Sequence, residues 1–227
     1  MKENKLEDQS IVLCPYCSNI LKQFPKSKKK CEYCKNLIYV RTSPDTGFKI
    51  IVTEKESNKL DAELKKKYFR NKWLRNIEGL GISKEDFQNK HEEFYKKNGT
   101  YVKDGDVFWS LFNELIIKTS DTKLLRGIYY EMAWFLFEEG RDYFAIRQQS
   151  ARMQLLSALN SNLNLKATIL TCGDGSCQEC NKLANTVYTI EEALEKMPIP
   201  CPDCTHLGTE EKKGFCRCWY GITVQKN

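Results

Sequence analysis

The sequence is short of histidine, has no long apolar run, and has no cysteine through its middle. Of 227 residues only His91 and His206 are histidines, which leaves little of the imidazole that catalytic metal sites use to hold an ion and manage protons. No apolar stretch approaches the ~18 residues needed to cross a bilayer, so a soluble chain without a membrane partner is expected. The segment Met1 to Gln9 is charged and only Ile11 to Leu13 is continuously apolar, unlike a secretory leader. A reducing, cytoplasmic setting follows, in which cysteines are free thiols or metal ligands rather than disulfides. A phosphate-cradling loop is also missing, because "CGDGSC" (Cys172 to Cys177) lacks the Lys-Ser/Thr ending that such a loop requires.

What is present is cysteine at the two ends. All 11 lie between Cys14 and Cys34 or between Cys172 and Cys218. In the first group "CPYCSN" returns as "CEYCKN", so Cys14, Cys17, Cys31 and Cys34 form two thiolate pairs of the C-x2-C type. Two such turns supply the four sulfurs of a closed tetrahedral zinc site. Asn19 and Asn36 follow the second cysteine of each pair, where a left-handed residue is expected to fold the chain back. "NLIYVRT" and "GFKIIVT", separated by the turn Ser43 to Gly47, read as two strands that complete a zinc ribbon over residues 1–55.

Charge is as uneven as cysteine. Residues 1–75 hold 18 Lys+Arg against 9 Asp+Glu, while the remaining residues hold 18 against 21. The surplus is densest in "KSKKK", where Lys26, Lys28, Lys29 and Lys30 lie between the two cysteine pairs. Clustered lysines gain affinity for polyanions by releasing counterions from phosphate, so these four are the candidate nucleic-acid contacts; a solvated loop is the plainer alternative.

Residues 56–162 read as a helical bundle. Leu60, Leu64, Tyr68, Trp73, Leu74 and Ile77 recur at helical spacing up to Gly79 and Gly81. Ser83 with Asp86 forms a capping box for the next helix, which ends at Asn98-Gly99. Val107 to Lys118 and the apolar segment capped by Asp121 follow, with a last helix from Arg141 to about Leu159. The aromatics of this region are expected in its core, and His91, flanked by polar residues, at the surface.

Residues 163–227 begin with a strand near Leu165–Leu170 and carry Cys172, Cys177, Cys180, Cys201, Cys204, Cys216, Cys218 and His206. Cys177-x2-Cys180 and Cys201-x2-Cys204 are knuckles, and Cys216-x-Cys218 is too tight to assign both thiols to one ion. The strand, the knuckle, "LANTVYTIEEAL" and the closing "CRC" resemble the C-terminal end of phage head-morphogenesis proteins similar to the F protein of phage Mu. In those proteins a Leu-Asp-Gly stretch follows the knuckle and His-Pro-x-Cys-Arg-Cys closes the domain. The resemblance covers about Thr168 to Tyr220. It implies ligands at Cys177, Cys180 and Cys216 or Cys218, with Cys204 or His206 as the fourth, and it matches Leu183-Ala184-Asn185 to the Leu-Asp-Gly turn. Cys201 and Cys204 have no counterpart, and His206 lies farther from Cys216 than the family spacing. The N-terminal ribbon resembles ribbons of uncharacterised phage and bacterial proteins.

The resulting expectation is an α+β chain with an N-terminal zinc ribbon, a central helical bundle and a C-terminal treble-clef-like zinc knob. It carries one Zn2+ at each end, with three ions in all as the alternative. A non-enzymatic adaptor that touches nucleic acid and a protein partner fits best. A phage structural role and a zinc-dependent nuclease or modifying enzyme are the alternatives.

Overall fold

The computed structural model describes residues 11–161, 163–209 and 214–224. The chain divides into two compact units, Met1–Lys72 and Trp73–Asn227. Among the described residues it is an α+β protein, with seven α-helices and two three-stranded antiparallel sheets.

In the first unit each cysteine pair folds into the same turn. Cys14 N–H donates to Asn19 O (2.9 Å) and Ser18 N–H to Cys14 O (2.9 Å); Cys31 N–H donates to Asn36 O (2.8 Å) and Lys35 N–H to Cys31 O (3.1 Å). The left-handed residues are Ser18 (φ 56) and Lys35 (φ 62), one position before the asparagines expected to take that role. The asparagine carbonyls instead accept the bonds that close the turns. Strands β1 (Lys29–Lys30), β2 (Leu37–Thr42) and β3 (Lys49–Val52) form one sheet in that order. The β2–β3 hairpin turns at Gly47, whose φ of 74 explains a glycine there.

Helix α1 (Glu54–Glu78) opens on Thr53, whose Oγ1 accepts from Glu56 N–H while the Glu56 carboxylate accepts from Thr53 N–H. The ribbon grips this start. Tyr16 Oη accepts from Glu54 N–H, Tyr39 Oη donates to the Glu54 carboxylate, and Arg41 pairs bidentately with Asp61 at 2.9 Å.

The second unit begins with the last turns of α1 and adds α2 (Lys84–Asn98), α3 (Asp104–Lys118), α4 (Thr122–Glu138) and α5 (Phe144–Leu159). The Ser83–Asp86 capping box forms, Gly99 closes α2 in the left-handed conformation, and Asp121 accepts from Lys123 N–H at the head of α4. Helix α3 starts at Asp104 rather than Val107, because acidic side chains in a first turn suit the helix dipole. Trp73, Phe108, Phe112 and Phe135 pack ring against ring in the core. His91 is half-buried rather than fully at the surface: its ring meets Phe87 edge-on and Tyr101 at a tilt, with Nε2 3.4 Å from the Asp104 carboxylate.

Beyond α5 run β4 (Leu165–Leu170), α6 (Gln178–Leu183), β5 (Val187–Thr189), α7 (Ile190–Lys196) and β6 (Trp219–Val224). The sheet order is β5-β4-β6. Helix α7 starts on a second capping box, Thr189 with Glu192. Asn185 takes φ 61 just before β5. A six-residue ladder, Leu165↔Val224 to Leu170↔Trp219, joins β4 to β6. Ala151, Leu155 and Ala158 of α5 pack with Ala167, Ile169, Ile190, Ala193 and Tyr220 into one core, so α5 backs the sheet.

Candidate metal centres

The four ribbon thiols meet as expected. Cys14 Sγ lies 3.9 Å from Cys34 Sγ and Cys17 Sγ 3.9 Å from Cys31 Sγ, with all four sulfurs within 4.8 Å of one another. A tetrahedral ion with metal–sulfur bonds of about 2.3 Å places its ligands about 3.8 Å apart, so these residues fit a zinc-type ion. Cys14 and Cys31 are buried, and Leu21 and Ile38 are the other buried apolar members of this core. The turns prepare the thiolates. Hydrogen bonds from the Asn19 backbone and side chain hold Cys17 down at about 6, and the Cys34 N–H lowers Cys31. Burial pushes Cys14 up to about 11, a cost that a bound cation removes.

The candidate nucleic-acid lysines lie between the two turns. Lys26, Lys28 and Lys30 are exposed. Lys28 Nζ sits 4.5 Å over the Tyr39 ring and Lys29 pairs with Glu32 at 3.8 Å. Phe24 and Tyr33, on either side of the lysines, are exposed by 38% and 55%.

At the C-terminal end six thiols gather. Cys177, Cys180 and Cys204 form one set with all sulfurs within 4.8 Å, and Cys180, Cys216 and Cys218 form another. Cys177 Sγ is 3.8 Å from Cys204 Sγ, and Cys180 Sγ is 3.8 Å from Cys216 Sγ, again the edge of a metal–thiolate tetrahedron. Cys201 adjoins them, its N–H donating to Cys216 Sγ at 3.3 Å. Cys172 stands apart, taking a hydrogen bond from Ser176 Oγ. His206 belongs to neither set: Nδ1 meets Gly175 O at 2.6 Å and Nε2 is buried without a partner.

These thiols share charge strongly. Hydrogen bonds from Cys204 and Cys218 pull Cys216 down to about 2, and the Cys216 thiolate in turn pushes up Cys204 and Cys218. Burial raises Cys180 and Cys201. Burial also acts on Cys177, but the N–H groups of Cys180 and Thr205 outweigh it and hold Cys177 near 7.

The surroundings that hold this centre were not singled out in the sequence. Arg147, 4% exposed, donates from Nε to Cys216 O (3.2 Å) and from Nη2 to Cys218 O (2.7 Å). One cationic side chain thus fixes the backbone of two candidate ligands, the outer-shell role that orients a metal site. Gln154 does the same for Tyr220, donating to its O (2.5 Å) and accepting from its N–H (3.3 Å). Phe215, fully buried, fills a box of Trp134, Tyr143, Phe137 and Tyr130 with ring centroids 4.9 to 5.8 Å away. Tyr143 Oη donates to Gly214 O. Gly214 has no room for a side chain, since a Cβ there would stand 2.4 Å from Cys204 O. The legible signal was the polar series Arg147, Ser150 and Gln154, which recurs at helical spacing on the apolar face of α5.

Comparison of the chain with models of protein families, with curated proteins and with solved structures finds no match. Among the described residues, no helix is long and apolar enough to cross a membrane.

Proposed function

We propose that the chain is a non-enzymatic, zinc-stabilised adaptor of the cytoplasm, phage or bacterial in origin, which contacts nucleic acid through its ribbon and a protein partner through the rest. The observation that carries this reading is the ribbon itself. Four thiols at tetrahedral spacing pin the two ends of an exposed, lysine-rich loop flanked by the exposed rings of Phe24 and Tyr33. Lysines supply sequence-independent attraction to phosphate, and aromatic faces add stacking on unpaired bases. A closed four-sulfur set leaves no open position for a reacting water, which is the arrangement of a structural ion.

The test is metal analysis of the purified full-length chain together with anisotropy titrations of single-stranded and duplex oligonucleotides across a salt series. Zinc at the thiol sets and binding that weakens steeply with salt, with little sequence preference, are expected. Replacing Lys26, Lys28, Lys29 and Lys30 by Gln should flatten the salt dependence. Unchanged binding in that variant would move the contact elsewhere, and a metal-free folded chain would overturn the zinc reading.

A second reading, a head-morphogenesis protein, draws support from Asn185. It holds a left-handed φ of 61 where the resembling proteins carry the glycine of their Leu-Asp-Gly turn. Copurification of capsid components from the native host, in place of nucleic acid, would favour it.

A further inference from the structure

The closing stretch Cys216-Arg217-Cys218-Trp219-Tyr220 presents two faces. Cys216, Cys218 and Tyr220 are buried, whereas Arg217 and Trp219 are exposed. Arg217 and Trp219 line a cavity of about 260 Å3. Three arginines from separate parts of the chain meet there: Arg126 of α4, Arg147 of α5 and Arg217. Tyr130 and Cys172 join them, and no carboxylate is among the lining residues.

Like charges gathered around one space repel one another unless an anion stands among them. The donors for such an anion are uncommitted. Arg147, 4% exposed, uses Nε and Nη2 on the Cys216 and Cys218 carbonyls, and its Nη1 has no hydrogen-bond partner among the described residues. Among those residues neither the Arg126 nor the Arg217 side chain has an ion pair or hydrogen bond, and the Tyr130 hydroxyl has no hydrogen bond. A planar carboxylate offers two oxygens, whereas a phosphate monoester offers three to guanidinium forks arriving from three parts of the fold. We propose that this cavity binds a nucleoside 5′-monophosphate, its phosphate among the three guanidinium groups and its base on the Trp219 ring. The volume lies just below the ~300–1,000 Å3 of small-molecule pockets, which suits a phosphate and its sugar. The base stays at the rim, where Trp219 is 39% exposed and a flat ring accepts any base by stacking. The site is separate from the ribbon lysines and does not rest on the zinc reading, since Cys172 belongs to neither close thiol set.

Cys172 is the reporter, because it lines the cavity. The full-length chain is alkylated with iodoacetamide with and without adenosine 5′-monophosphate, and modification at Cys172 is followed by peptide mass spectrometry. The nucleotide should slow that modification several-fold, and inorganic phosphate should need about tenfold more to do the same, the weight of one stacked base. Arg217→Gln and, on a helix away from the thiols, Arg126→Gln should each remove most of the protection by both compounds. Trp219→Ala should erase the difference between them. Calorimetric titration of the nucleotide into the wild type and the two arginine variants reads the same loss if Cys172 reacts slowly. Protection no greater than that given by sodium chloride at equal ionic strength, joined to no binding heat, would overturn the proposal. So would binding left unchanged by both arginine variants, and equal potency of nucleotide and inorganic phosphate would overturn the nucleotide assignment.

Discussion

The two ends of the chain solve one problem with different support. The ribbon has a small core around its thiols: among the described residues Leu21 and Ile38 complete the buried cluster, with Val12 and Ile51 packed against it and Tyr39 and Val52 also buried. The C-terminal centre is backed by α5, by the ladder between β4 and β6, by Arg147 and by the Phe215 box. Where the core is small, an ion must supply the folding free energy. Where packing is already extensive, the ion fixes the geometry of a site that other contacts hold near its place.

Removing the metal breaks this contrast most forcibly. Cys31→Ser, or chelation, deprives the ribbon of a term of about 10–16 kcal/mol. The ribbon should therefore unfold, seen as protease cleavage between the two knuckles and loss of dispersion of the Tyr16 and Tyr39 NMR signals. In the same chelated sample α2 to α5 should keep their helical circular dichroism. Collapse of both would erase the distinction.

Phe215→Ala should cost about 3–5 kcal/mol, the range for emptying a buried aromatic site, and should loosen the C-terminal centre without touching the ribbon. Thermal unfolding and metal-release kinetics would read it. Arg147→Met removes two donors from buried carbonyls, at ~1–3 kcal/mol for each acceptor left unpaired. It should speed metal loss from the C-terminal centre while leaving ribbon metal unchanged. An equal effect at both ends would mean that Arg147 acts on the general fold.

The smallest effect concerns a cap shared by neither centre. Ser83→Ala should cost about 1 kcal/mol. Hydrogen bonds from the Ser83 hydroxyl and N–H hold the Asp86 carboxyl below its ordinary value of 3.8. Its contribution is therefore present above that value and lost as the pH falls below it. The difference in melting temperature between wild type and Asp86→Ala should be full at neutral pH and should close in acid.

Patterns local in sequence were legible. Both C-x2-C turns, the Ser83–Asp86 box, the Asp121 cap and the Ser43–Gly47 hairpin all follow from residues within a few positions of one another. Long-range pairing was not. Strand β6 could not be seen because its partner β4 lies some fifty residues away, and nothing in "WYGITV" states which strand it will meet. The grouping of the C-terminal thiols was hidden for the same reason, since spacing along the chain brings Cys216 and Cys218 together but does not place Cys180 beside both. His91 was read as a surface residue from its polar sequence neighbours, whereas the rings that meet it, Phe87 and Tyr101, are four and ten positions away.

The Phe215 plug ties the exchange behaviour of the C-terminal centre to that of the helices. The ring occupies a box built by α4 and by Tyr143 at the head of α5, and the next residue is the thiolate Cys216. A fluctuation that frees Cys216 must first withdraw an aromatic ring from between packed helices, so small openings of the thiol cluster are forbidden and only a large, rare one is left. Backbone amides at Cys216 and Cys218 are therefore expected to exchange with solvent on the slow schedule of the helical core, although they belong to a loop, and native-state hydrogen exchange would read it.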